Sequence, residues 1–124
     1  MLKMVVINFR KPGMTLEQFT HYWRTTHADL VKKHAGAMGF KKYVQSHLVP
    51  SPEMDAFAKA RGWSAAPDGL TEVWWESVEA MQAALGSPEG QAASAALAAD
   101  EPNLINPSQI SAFLSTEYVV FDQT

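Results

Sequence analysis

Cysteine is absent from the 124 residues, which excludes a disulfide framework, a thiolate nucleophile and any cysteine-held metal. Positive charge is scarce as well. Ten Lys and Arg stand against thirteen Asp and Glu, a net charge of −3, so no basic stripe neutralises phosphates, and neither nucleic acid nor an anionic membrane is expected as a partner. Glycine-rich phosphate loops and nucleophile elbows are missing too. The apolar start MLKMVVINF is too short to span a bilayer and reads as a strand rather than a leader, so a cytoplasmic location is expected.

What is present is a chain 47% hydrophobic and 19% charged, enough for one domain over residues 1–124 around one core. Residues 2–9 are rich in Val, Ile and Phe and are closed by Lys11, Pro12 and Gly13, a strand followed by a turn. In MTLEQF, Thr15 is a helix cap, Gln18 completes a capping box, and Met14 faces Phe19 as a hydrophobic staple. Lys32, Lys33 and His34 suit the end of that helix, with Gly36 and Gly39 as stops. Residues 40–49 read as a second strand, SPEMDAFAKARG as a short helix capped by Ser51, and LTEVWWE as a third strand. Ser77 caps VEAMQAAL, Ser87 and Pro88 open an alanine-rich helix, DEPNLINP is a loop, and residues 110–121 form a long final strand.

Two βαβ units in tandem with right-handed crossovers give an α+β fold, a ferredoxin-like antiparallel sheet with helices on one face. The last strand is apolar on both sides: Ile110, Ala112, Leu114, Tyr118 and Val120 on one, Phe113, Val119 and Phe121 on the other. No segment is left to cover the second sheet face, so a homodimer joined through sheet faces is expected.

At about 100° per residue, Leu16, Phe19, Trp23, His27, Leu30 and Val31 share one arc of the first helix, with His27 near its centre. A buried imidazole is disfavoured as a cation and works as a neutral base. The same position also suits a core histidine bonded to a backbone carbonyl. Helix rise (about 1.5 Å per residue) and strand rise (about 3.3 Å) bring Tyr43 nearly level with His27 and carry His47 past it. A packing tyrosine on the dimer seam is the alternative for Tyr43. His34 lies about 10 Å along the axis from His27, and His21 is off that face, so no metal is expected. Glu72 and Glu76 share a strand face, as solvated glutamates or as a carboxylate pair. Trp74 and Trp75 point to opposite faces.

Together, MTLEQFTHYWRTTHADLV, GFKKYVQSHLV and TEVWWES resemble the EthD family of dimeric α/β-barrel proteins. The resemblance implies a ferredoxin-like subunit pairing through its sheet, with a pocket between helices and sheet. Relatives such as methylmuconolactone methylisomerase and aromatic polyketide cyclases move protons on enolisable substrates without a cofactor, and the isomerase's active-site histidine matches His27. The isomerase's strand-three cysteine is matched by Val73, and its second histidine has no counterpart between Ser51 and Asp68.

The expected function is a cofactor-independent lyase, isomerase or cyclase that moves a proton on a small aromatic, lactone or polyketide-like carbonyl compound. His27 is the expected base and Tyr43 the group that polarises or protonates oxygen, with Phe19, Trp23, Trp74 and Trp75 as pocket walls. A non-catalytic small-molecule-binding accessory protein and a cofactor-free monooxygenase are the alternatives. Residues 51–63 are expected to form a lid over the pocket near His27.

Overall fold

The computed structural model describes all residues from Met1 to Thr124. β1 (Leu2–Asn8) leads into α1 (Leu16–Tyr22), a π-helical turn (Trp23–His27) and α2 (Ala28–Met38), which follow one another without a break. β2 (Lys42–His47), α3 (Pro52–Ala60), β3 (Gly69–Trp75), α4 (Val78–Gly86), α5 (Pro88–Asp100), a 3-10 turn (Glu101–Asn103) and β4 (Ser111–Ser115) complete the chain. The sheet order is β2-β3-β1-β4, antiparallel throughout. No helix is long and apolar enough to cross a membrane.

The helix starts follow the local chemistry. Thr15 accepts from the Gln18 backbone N–H while the Gln18 side chain accepts from that of Thr15, and Ser51, Ser77 and Ser87 cap the helices after them. The first rod ends at Gly39, not at Gly36. Gly39 adopts φ +74°, and a Cβ there would meet that of Ala84 at 2.8 Å, so both backbone and space require glycine.

Alternation fixes the two faces of the sheet. Met4, Val6, Asn8, Tyr43, Gln45, His47, Thr71, Val73 and Trp75 face the helices, whereas Lys3, Val5, Ile7, Val44, Leu70, Glu72, Trp74 and Phe113 face the other way. Phe19, Trp23 and Leu104 form the buried cluster beneath α1. Trp23 lies so close to β3 that a Cβ on Gly69 would run into its ring, which makes the glycine a packing requirement.

Two expectations are corrected. The final strand stops at Ser115 instead of continuing to residue 121. Its partner β1 runs out, since Ser115 already pairs with Lys3, and Tyr118, Val119, Val120 and Phe121 are left exposed. The helix α3 is not a lid over His27: β2 carries the chain away from Tyr43 at about 3.3 Å per residue, and α3 instead flanks a separate open groove with Phe9, Met14 and Leu48.

Candidate active site

The π turn sets the site. In it the Ala28 N–H reaches back to the Trp23 carbonyl, a wider turn than the α-helix allows. That carbonyl also accepts from Gln45 Nε2 at 2.9 Å, which ties the turn to β2. Trp23 and His27, at the two ends of the turn, are both buried. They do different things.

His27 lines a cavity of about 220 Å3 between helices and sheet, together with Tyr43, Asn8, Thr71 and Glu101. Its Nδ1 lies 2.7 Å from Asp100 Oδ2, with the two side chains 9% and 11% exposed. Asp100 also accepts from the Tyr22 hydroxyl at 2.5 Å and from Asn103 Nδ2 at 3.0 Å. Burial pushes the Asp100 carboxyl up, but the hydrogen bonds from Tyr22, Asn103 and His27 outweigh it and hold it below the usual range. Asp100 is therefore a carboxylate acceptor, and the His27 proton sits on Nδ1. In the neutral imidazole the lone pair is then on Nε2.

Tyr43 faces the helices and so lines the same cavity. Burial pushes its phenol up, against hydrogen bonding with Thr71 and Trp23, so it remains an O–H donor at neutral pH. Beside it, Asn8 Nδ2 donates to Thr71 Oγ1 at 2.7 Å. Glu101 stands at the rim, its carboxyl raised by burial against the opposing pull of His27. Its residue surface is largely exposed, so that burial is partial.

The structure thus brings His27 and Tyr43 together and leaves the four expected aromatic walls outside the cavity lining. Phe19 and Trp23 fill the core under α1. Trp75 is on the helix side, but its Nε1 donates to the Met38 carbonyl at 2.8 Å and its ring packs edge-on against Phe40. Trp74 lies on the opposite sheet face, where Lys42 Nζ sits 4.7 Å from the centre of its ring. A stripe of aromatic residues packs tightly because it is large and rigid, and here it supports the cavity instead of lining it. The apolar lining is mostly aliphatic, with Val6, Val31, Val73, Leu97 and Ile105, and its aromatic members are Phe40 and Tyr43.

His47 packs at a tilt against Trp23, with ring centres 4.4 Å apart, and bonds to Gln45, away from the cavity. Glu72 forms an ion pair with Lys3 on the opposite face, and Glu76 falls beyond β3. Asp100, Glu101 and Tyr22 were not legible as site residues, because Asp100 and Glu101 begin a stretch that reads as loop. One signal existed, in that the alanine-rich run of α5 continues unbroken up to Asp100.

The comparisons agree with this architecture. The EthD domain model matches residues 11–108. No curated protein matches the chain in sequence. Among solved structures, an EthD family protein from Bacillus halodurans is similar with TM-score 0.58 and 18% identity, over 95% of this chain and 100% of that one. An EthD-like protein from Ralstonia eutropha gives 0.56 and 20%, over 99% and 95%. SnoaB, a cofactor-independent oxygenase from Streptomyces nogalater, gives 0.52 and 15%, over 98% and 97%. At these identities the structures speak for the fold, which is ferredoxin-like, and the domain match over most of the chain identifies the lineage: this protein belongs to the EthD family.

Proposed function

We propose that the protein is a cofactor-independent enzyme, a lyase, isomerase or cyclase, that moves a proton on a small carbonyl compound. The observation that carries this reading is the pairing of His27 with Asp100 at the wall of a cavity that also holds the Tyr43 hydroxyl. His27 Nε2 takes a proton from the carbon next to the carbonyl, the electron pair moves onto the carbonyl oxygen, and the Tyr43 O–H donates to that oxygen. The imidazolium formed is stabilised by Asp100, which stays ionised. Return of the proton to a different carbon, or loss of a leaving group, completes isomerisation or elimination. Asp100 is a positioning residue, since it acts through His27.

The assembly proposed for this enzyme is a homodimer joined through the open sheet face. Support comes from the exposed Phe113 next to Val5, Ile7 and Trp74 on that face, and from the apolar tail that follows β4. The decisive experiment is deuterium exchange of the α-protons of small ketones and lactones, followed by NMR with the native protein and His27→Asn. Exchange with the native protein that is lost in the variant supports the proposal. No exchange over a panel of such compounds would leave a binding protein, and oxygen consumption with a phenolic substrate would favour a monooxygenase.

A further inference from the structure

The cavity around His27 has no cation to offer an anionic ligand. None of the ten Lys and Arg of the chain is among its lining residues. The one basic side chain present, His27, already faces the Asp100 carboxylate at 2.7 Å, and a second carboxyl group, Glu101, stands on the rim. The remaining polar groups are neutral dipoles, namely Asn8, Thr71, Tyr43 and Ser94. With Tyr43 counted for its ring, eleven of the sixteen lining residues are hydrophobic. A ligand carboxylate entering here would give up its water and meet the Glu101 carboxyl group and an imidazole already engaged by Asp100, an arrangement that both desolvation and like charge disfavour.

Size gives a second limit. The volume is about 220 Å3, whereas an apolar cavity of about 150 Å3 is enough for benzene and the pockets of drug-sized ligands start at about 300 Å3. One ring with one or two small substituents fits; a fused polycyclic does not. We infer that the site takes an uncharged single-ring carbonyl or phenolic compound and discriminates against carboxylated ones of the same shape. This rests on the reading of the His27 cavity as the substrate site, and it narrows the substrate class of that site. Within the aromatic, lactone and polyketide-like carbonyl compounds expected from sequence, it removes those that carry a carboxylate or more than one ring.

Benzamide and benzoate are matched in shape and differ in charge, so they isolate the effect. Titration of each into the ¹⁵N-labelled full-length protein at about pH 8, where an ordinary imidazole is neutral, reads binding at the His27 ring nitrogens and at the amides of Thr71 and Val73. The expected result is that benzamide binds at least about tenfold more tightly than benzoate, and that Glu101→Gln narrows the ratio severalfold by strengthening benzoate alone. Equal or tighter binding of benzoate would overturn the inference, and so would the absence of shifts at the cavity with either probe at millimolar concentration. So would measurable binding of a naphthalene-fused amide as tight as that of benzamide. The outcome is independent of catalysis. Benzamide selectivity without α-proton exchange would sink the proposed reaction and keep this inference, whereas exchange on a substrate bearing a carboxylate would do the reverse.

Discussion

The two faces of the sheet are built to different ends. On the helix side polar groups are few and largely paired: Asn8 with Thr71, Gln45 with the Trp23 carbonyl, and His27 with Asp100, Tyr22 and Asn103 gathered on the same carboxylate. On the far side Lys3 pairs with Glu72 and lies 5.5 Å from the Trp74 ring centre, Phe113 is exposed beside Val5, and the tail beyond β4 is exposed as well. One face is complete within a single chain, and the other is the face through which the proposed dimer would be joined. A polar residue buried on the first face has its role fixed by neighbours that are already there. On the second face the proposed dimer would add neighbours that the single chain lacks.

The largest expected effect is on the complete face. His27→Asn should lower turnover on any substrate found by about two to four orders of magnitude, the usual worth of a positioned base, and cost about 1–3 kcal/mol by loosening the Asp100 network. Steady-state kinetics and a chemical denaturation curve read the two parts separately, and full turnover in a folded variant would remove His27 from the mechanism. Next comes Trp23→Ala in the cluster under α1, which should cost about 3–5 kcal/mol as buried Trp truncations do, visible as a lowered denaturation midpoint.

Asp100→Asn should lower kcat about ten- to a hundredfold, the scale seen when the partner that orients a working histidine is lost, with KM little changed. It also has a signature in pH. The folded-state pKa of Asp100 lies below its unfolded value of about 3.9, so its contribution to stability is present above that value and is lost as pH falls through the folded pKa. The variant should therefore show a flatter loss of stability below about pH 4, and an unchanged acid limb would argue against the network. Glu101 runs the other way. Its pKa is raised, so the native state favours its protonated form, and stability falls as pH rises from its unfolded value of about 4.3 through the folded one. Glu101→Gln should remove that small slope.

The smallest effect on the subunit, and the sharpest on the comparison, is expected from Phe113→Lys on the open face. An exposed side chain there should change the stability of the folded subunit by no more than about 0.5 kcal/mol, yet sedimentation should report a halved mass if this face joins two copies. An unchanged mass would place the dimer contact elsewhere.

Much of this was legible in the residues because it depends on near neighbours. Thr15 with Gln18, the serine caps and the Trp23 to His27 spacing act within a turn or two of chain, where sequence and space coincide. The level of Tyr43 followed from two fixed rises, about 1.5 and about 3.3 Å per residue. The rest was not, for reasons that can be named. Asp100 is 73 residues from His27, and nothing local to DEPNLINP marks its first residue as the partner of an imidazole. Phe19 and Trp23 were read as pocket walls since periodicity gives a side chain's direction and not what fills the space it points into. The apolar run over residues 110–121 pairs only from Ser111 to Ser115, because the length of an edge strand depends on how far its neighbour β1 extends.

By itself the sequence determined the element order, the caps, the face of the first helix that turns inward and the absence of cysteine chemistry, all of them consequences of backbone geometry and of side-chain type. Tertiary structure alone decided that His27 would meet Asp100, that Tyr43 would open onto the same cavity, and that this cavity would be mostly apolar, small and without a Lys or Arg. The physical reason is that burial and the pairing of charges are set by what lies across a gap in space, and a chain folded from distant segments fills that gap with residues no local pattern announces.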